Sequence, residues 1–201
     1  SGHTVLEAYT LPSTVAMVAA MVAIVNLPSF LATYRRTGML RTLATTPVRP
    51  ALVLGAQVVV SLAQLVLGVG LMLAVAIVAF GARLPDRPWV ALGVGALGAL
   101  AMYGVGMVVA SLAPSPNAAV ALGLVGFLGL GAVGGMFGPN DAYPEVVRSA
   151  GDALPFGAML RGLQAAWTGE PVEPATLVAL AVAGVVGASV AAVAFRMRGR
   201  G

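Results

Sequence analysis

The side chains with chemical reach gather in two places. The first is the stretch YRRTGMLRTLATTPVRP, residues 34–50, which holds Arg35, Arg36, Arg41 and Arg49 and no acidic residue. Guanidinium groups without counter-charge can hold anionic lipid headgroups, or they can dock on a soluble partner that supplies energy. Composition does not choose between the two, and each Arg can also be a simple topology anchor. The second place is a polar row inside an apolar run. Gln57, Ser61, Gln64 and Gly68 are spaced 4, 3 and 4 apart, which places them on one helix face. Polar groups in a span usually turn to the protein interior, as glue between helices or as the lining of a path. Asn26, two residues before Pro28, is a further candidate for that role.

The residue types that are missing narrow the chemistry. The chain has no Cys, so it has no disulfide, thiolate metal site or cysteine nucleophile. Its only His is His3, too little for a metal centre or a His-based triad. All eleven basic residues are Arg, and without Lys no Walker A loop exists here. Acids fall outside the apolar runs, so no buried proton relay is expected. The chain is not expected to bind a cofactor, a metal or nucleic acid.

What must position these residues is lipid-embedded helix. Hydrophobic residues are 59% of the chain and charged residues 9%, against about 25% charged in soluble domains. Several runs exceed the roughly 18 apolar residues that mark a spanning helix. The ten-residue alternation of a membrane barrel does not occur. The fold class expected is therefore all-α, a polytopic integral membrane protein forming one transmembrane domain over residues 1–201. Five transmembrane helices are expected at about 13–33, 51–80, 89–113, 118–137 and 175–195. Pro28 is expected to kink the first. The second is longer than a bilayer needs, at about 45 Å, and should tilt or project.

Between the spans, Met39, Leu40, Leu43 and Ala44 recur at helical spacing, with Arg41, Thr42 and Thr45 elsewhere. This predicts an amphipathic helix of about two turns, ended by Thr46-Pro47. Residues 139–173 form a segment of a different kind, holding five acids. Within it Ala153 to Trp167 is apolar but too short to cross, and reads as a re-entrant or interfacial helix. Trp89 and Trp167 are both expected at headgroup level.

Charge sets the orientation. The side with residues 34–50, the turn 114–117 and the tail holds seven Arg and no acid. The other side holds four Arg and all seven acids. Because positive loops stay inside, residues 34–50 and the C-terminus are expected in the cytoplasm of a multi-pass plasma-membrane protein, with residue 1 outside.

Taken in order, these features resemble the membrane subunit of type-2 ATP-binding-cassette exporters. The strongest match is YRRTGMLRTLATTPVRPALVLGAQ, residues 34–57, with its basic residues, Thr-Gly pair, spaced leucines, Thr-Pro-Val and early Gln. The second is LPFGAMLRGLQAAWTGEP, residues 154–171, with Leu154, Pro155, Arg161 and Gly162. The likeness is greatest to drug- and antibiotic-resistance permeases of the actinobacterial type. Members have six spans with both ends inside, so the resemblance implies that a cytoplasmic segment and first span precede this chain. Many members also carry an acid where this chain has Tyr34.

The resemblance further implies two paired permease chains, identical or not, each bound to a cytoplasmic ATPase subunit that holds ATP and Mg. The helix from about Arg36 to Thr45 would be the coupling helix, with Leu40 and Leu43 as apolar anchors and Arg36 and Arg41 as charge contacts. Arg35, Thr37, Gly38, Thr46 and Pro47 complete the coupling segment. The substrate class implied is hydrophobic or amphipathic: a drug, antibiotic, lipid or glycan. The competing expectations are a channel or secondary transporter working without an ATPase, and an intramembrane enzyme or assembly scaffold.

Overall fold

The computed structural model describes residues 4–36, 50–138 and 143–198. Every regular element among them is helical. The first long helix is continuous but not uniform. It opens with a π-helical turn, Leu6–Thr10, continues as α1 (Leu11–Ala20), passes through a second π-helical turn, Met21–Asn26, and ends as α2 (Leu27–Arg36). Then follow α3 (Pro50–Phe80), α4 (Pro88–Leu112), α5 (Pro116–Val133), α6 (Glu145–Ala153), α7 (Pro155–Thr168) and α8 (Pro174–Arg198). Among the described residues four helices are long and apolar enough to cross a membrane: Leu6–Tyr34, Val59–Phe80, Pro88–Leu112 and Pro116–Val133. A shorter apolar stretch, Pro174–Val190, opens α8. The protein is an all-α, polytopic membrane protein. Successive long helices run in alternate directions and give the bundle two ends, one at Glu7 and one at Arg36.

Proline starts most of these helices. Pro50, Pro88, Pro116, Pro155 and Pro174 each occupy the first helical position, where the missing N–H has no partner to lose. Ser115 caps α5 by accepting from the Ala118 N–H at 3.2 Å. The first helix begins earlier than position 13. Thr4 and Glu7 form a reciprocal capping box: the Glu7 carboxylate accepts from the Thr4 N–H at 3.0 Å, and the Thr4 hydroxyl accepts from the Glu7 N–H at 3.4 Å.

Pro28 is fully buried inside the first helix. The preceding π-helical turn absorbs it, closing with the Leu27 N–H bonded to the Val22 carbonyl five residues back. The carbonyls around this turn face glycines. A Cβ on Gly106 of α4 would lie 1.9 Å from the Ala23 oxygen, and one on Gly123 of α5 would lie 2.6 Å from the Ile24 oxygen. A side chain at either position would overlap the facing carbonyl, so only glycine admits such an approach.

The core lies between α1, α4, α7 and α8, centred on Ile24, Met102, Phe156, Met159, Leu163 and Leu180. The closest pair is α4 with α8, where Gly104 and Gly187 meet backbone to backbone. The helix α3 is the outlier. It touches the bundle along one strip and exposes Val66, Leu67, Leu71, Val75, Val78 and Phe80.

Candidate functional site

At the Arg36 end, α2 delivers the start of the basic stretch and α3 receives the chain again at Pro50. Arg35 and Arg36 close α2. The Arg36 side chain is exposed and borders an open depression with Ala32, Ala113 and Pro114. The α4–α5 turn therefore sits at the same end as the basic stretch. Thr37, Gly38, Leu40, Arg41, Leu43, Thr46 and Pro47, with the short amphipathic helix expected there, lie outside the described residues.

The polar row on α3 divides. Gln57 and Ser61 are buried, at 6% and 0% exposure, whereas Gln64 is exposed. The expectation that all three share an interior face is corrected for Gln64. The contact strip follows Gln57, Ser61, Leu65 and Val69, and continues to Ala76. Steps of four residues rotate the strip by about 40° each at 3.6 residues per turn. That drift carries Gln64 to the edge. Gly68 remains near the contact, where a Cβ would lie 3.2 Å from Val18.

Gln57 also joins the two sides of the basic stretch. The Tyr34 hydroxyl, at the end of α2, donates to the Gln57 Oε1 at 3.3 Å. The Tyr103 hydroxyl of α4 lies against Ser61. Tyr103 was not among the residues singled out from sequence, because an isolated Tyr in an apolar helix gives no spacing signal. Asn26 is half-buried at the end of the π-helical turn, and its carbonyl accepts from the Ser29 hydroxyl at 2.7 Å. Among the described contacts, nothing brings the Asn26 side chain together with Gln57 and Ser61.

The Glu7 end is built differently. The second Glu7 oxygen accepts from the Arg83 N–H at 2.8 Å, so one carboxylate ties the first helix to the α3–α4 turn. The Thr-x-x-Glu spacing was readable as a cap; the bond to residue 83 was not. Tyr9 donates to the Gly135 carbonyl beyond α5. The turn also satisfies α7: the Arg87 N–H donates to the Ala166 carbonyl at 3.0 Å and the Asp86 N–H to that of Trp167 at 3.4 Å.

The apolar segment expected at 153–167 is α7, and it is packed inside the bundle. Pro155 through Leu160, with Gly162, Leu163, Ala166 and Trp167, is buried. Trp167 is only 3% exposed, enclosed by protein, whereas Trp89 is 83% exposed. The cause is packing. Gly162 lets α7 approach α4, since a Cβ there would meet Val94 at 2.7 Å. Leu154 is the extended N-cap and Pro155 the first helical residue.

Arg161 points back to α6. Its guanidinium binds both the carboxylate and the backbone carbonyl of Asp152, so it neutralises an acid and caps a helix C-terminus together. Burial pulls the Arg161 pKa below its ordinary value, and the Glu173 carboxylate opposes that shift. Gly134, at the end of α5, also serves this end: a Cβ there would lie 2.8 Å from the Gly157 nitrogen.

A family model for ABC-2 type transporters matches residues 2–167, from the start of the first helix to the end of α7. The chain belongs to the ABC-2 type transporter family. Neither a search of curated proteins nor one of solved structures returned a match. As an ABC-2 membrane domain the chain is a transport subunit, and such domains generally work with an ATPase subunit. The matched region takes in both stretches singled out from sequence, the basic one at 34–50 and the one that becomes α7.

Proposed function

We propose that this ABC-2 protein is the transmembrane subunit of an ATP-driven exporter for hydrophobic or amphipathic molecules, and that residues 34–50 couple it to a separate ATPase subunit carrying ATP and Mg. The observation that carries the reading is the placement of the basic stretch. It joins α2 to α3 at one end of the bundle, between two helices bonded together by Tyr34 and Gln57. A force applied there reaches two long helices at once. The acid-free charge of this end argues that it faces the cytoplasm, which leaves Glu7, α6 and α7 on the outer side. A second permease chain, identical or related, would complete the path, and the long exposed face of α3 offers apolar surface to it or to lipid.

The test is co-purification with the ATPase subunit. Gly38→Pro or Leu43→Asp should abolish association while the chain still inserts into the membrane. Undiminished recovery of the ATPase with both variants would overturn the coupling assignment.

A further inference from the structure

Among the described residues four buried side-chain polar atoms have no hydrogen-bond partner: Gln57 Nε2, Ser61 Oγ, Tyr103 Oη and Trp167 Nε1. Three of the four lie together. Gln57 and Ser61 are one turn apart on the buried strip of α3, and the Tyr103 hydroxyl of α4 is near enough to Ser61 to interact with it, although the two form no well-made hydrogen bond. Tyr34 fixes the amide by donating to its oxygen, which leaves the Gln57 nitrogen as the free donor. In lipid no bulk water can satisfy such groups, so an unpaired cluster is costly unless something binds to it.

The chemistry of the cluster selects what fits. The Gln57 amide nitrogen only donates, whereas the Ser61 and Tyr103 hydroxyls both donate and accept. A ligand that satisfies all three must accept at least one proton and can give one. A hydroxyl oxygen does this: it accepts from Gln57 and from one hydroxyl, and donates to the other. An ammonium cannot accept from Gln57. A carboxylate would bring an unpaired charge among four neutral side chains, at a large desolvation cost. We propose that Tyr34, Gln57, Ser61 and Tyr103 form a membrane-embedded binding site for a neutral hydroxyl group, supplied either by water or by an amphipathic alcohol. The site stands on these side chains alone and does not depend on the coupling of residues 34–50 to an ATPase.

The experiment uses the full chain in lipid nanodiscs with 1-decanol as probe and decane as its hydroxyl-free match. Thermal unfolding reads the alcohol arm. Decanol should raise Tm more than decane does. Ser61→Ala and Tyr103→Phe should weaken the apparent decanol affinity by about tenfold each, while Ser61→Thr, which keeps the hydroxyl, retains it. Infrared difference spectra in ordinary and oxygen-18 water read the water arm. An isotope-sensitive O–H band present in the wild type and lost in Tyr103→Phe assigns the site to water. Tyr103→Phe keeps the ring that packs between helices, so it tests the site even if Ser61→Ala fails to fold. Equal responses to decanol and decane, with no isotope-sensitive band that depends on Tyr103, would overturn the proposal.

Discussion

The two ends of this bundle are held by different means. At the Glu7 end, ties run between elements far apart in the chain. Glu7 reaches the turn at Arg83, Tyr9 reaches Gly135, residues 86 and 87 cap α7, and Arg161 caps α6. Most of these bonds use backbone groups on one side, so their geometry is fixed by the fold and not by long side chains. At the Arg36 end, among the described residues, a bond between two side chains, the Tyr34 hydroxyl and the Gln57 amide oxygen, joins α2 to α3. The contrast suits a transport subunit. One end is a cap tied through backbone groups, and the other joins α2 to α3, on either side of the basic stretch, through a bond between two side chains.

The largest test of the cap is Gly157→Val. A Cβ at Gly157 would lie 2.2 Å from the Gly151 carbonyl and would force α6 and α7 apart. Thermal unfolding in detergent should show a loss of about 3 kcal/mol or more. A variant as stable as the wild type would mean that the two helices are not locked. Next in size is Glu7→Ala, which removes the acceptor of two backbone N–H groups in different elements. It should lower Tm and speed hydrogen exchange at the Arg83 amide, with the amides of α2 unchanged. Faster exchange at both ends would show that they are not independent. Smallest is Arg161→Met, which keeps the packing of the side-chain stem but loses the ion pair and the cap. A cost of about 1 kcal/mol is expected for this partly exposed pair, read as faster exchange in the last turn of α6.

The same contrast explains what could be read from sequence. Long apolar runs identified the spanning helices, because burial in lipid demands nothing more specific than length and hydropathy. The basic stretch was legible because charge placement is a one-dimensional signal. The cap was not. The enclosure of Trp167 and α7 between α4 and α8 depends on Gly162, whose role needs the partner helix to be known. Gln64 obeyed the helical period yet fell outside the contact, because the strip on α3 drifts around the helix. The early start of the first helix rests on the Glu7 carboxylate, whose backbone partner at Arg83 lies far away in the chain and comes into view only in the fold.

The π-helical turn at Met21–Asn26 has a geometric consequence for the basic stretch. Such a turn holds one more residue than an α-helical turn in the same rise. The two halves of the first helix are thus phased differently about their common axis. Winding positions 21–26 as regular α-helix with no residue removed would swing everything beyond them by about 100°. Arg36 would then leave the membrane facing a different neighbour. The direction in which this protein presents its positive charge is set by a one-residue surplus, some ten residues before the charge itself.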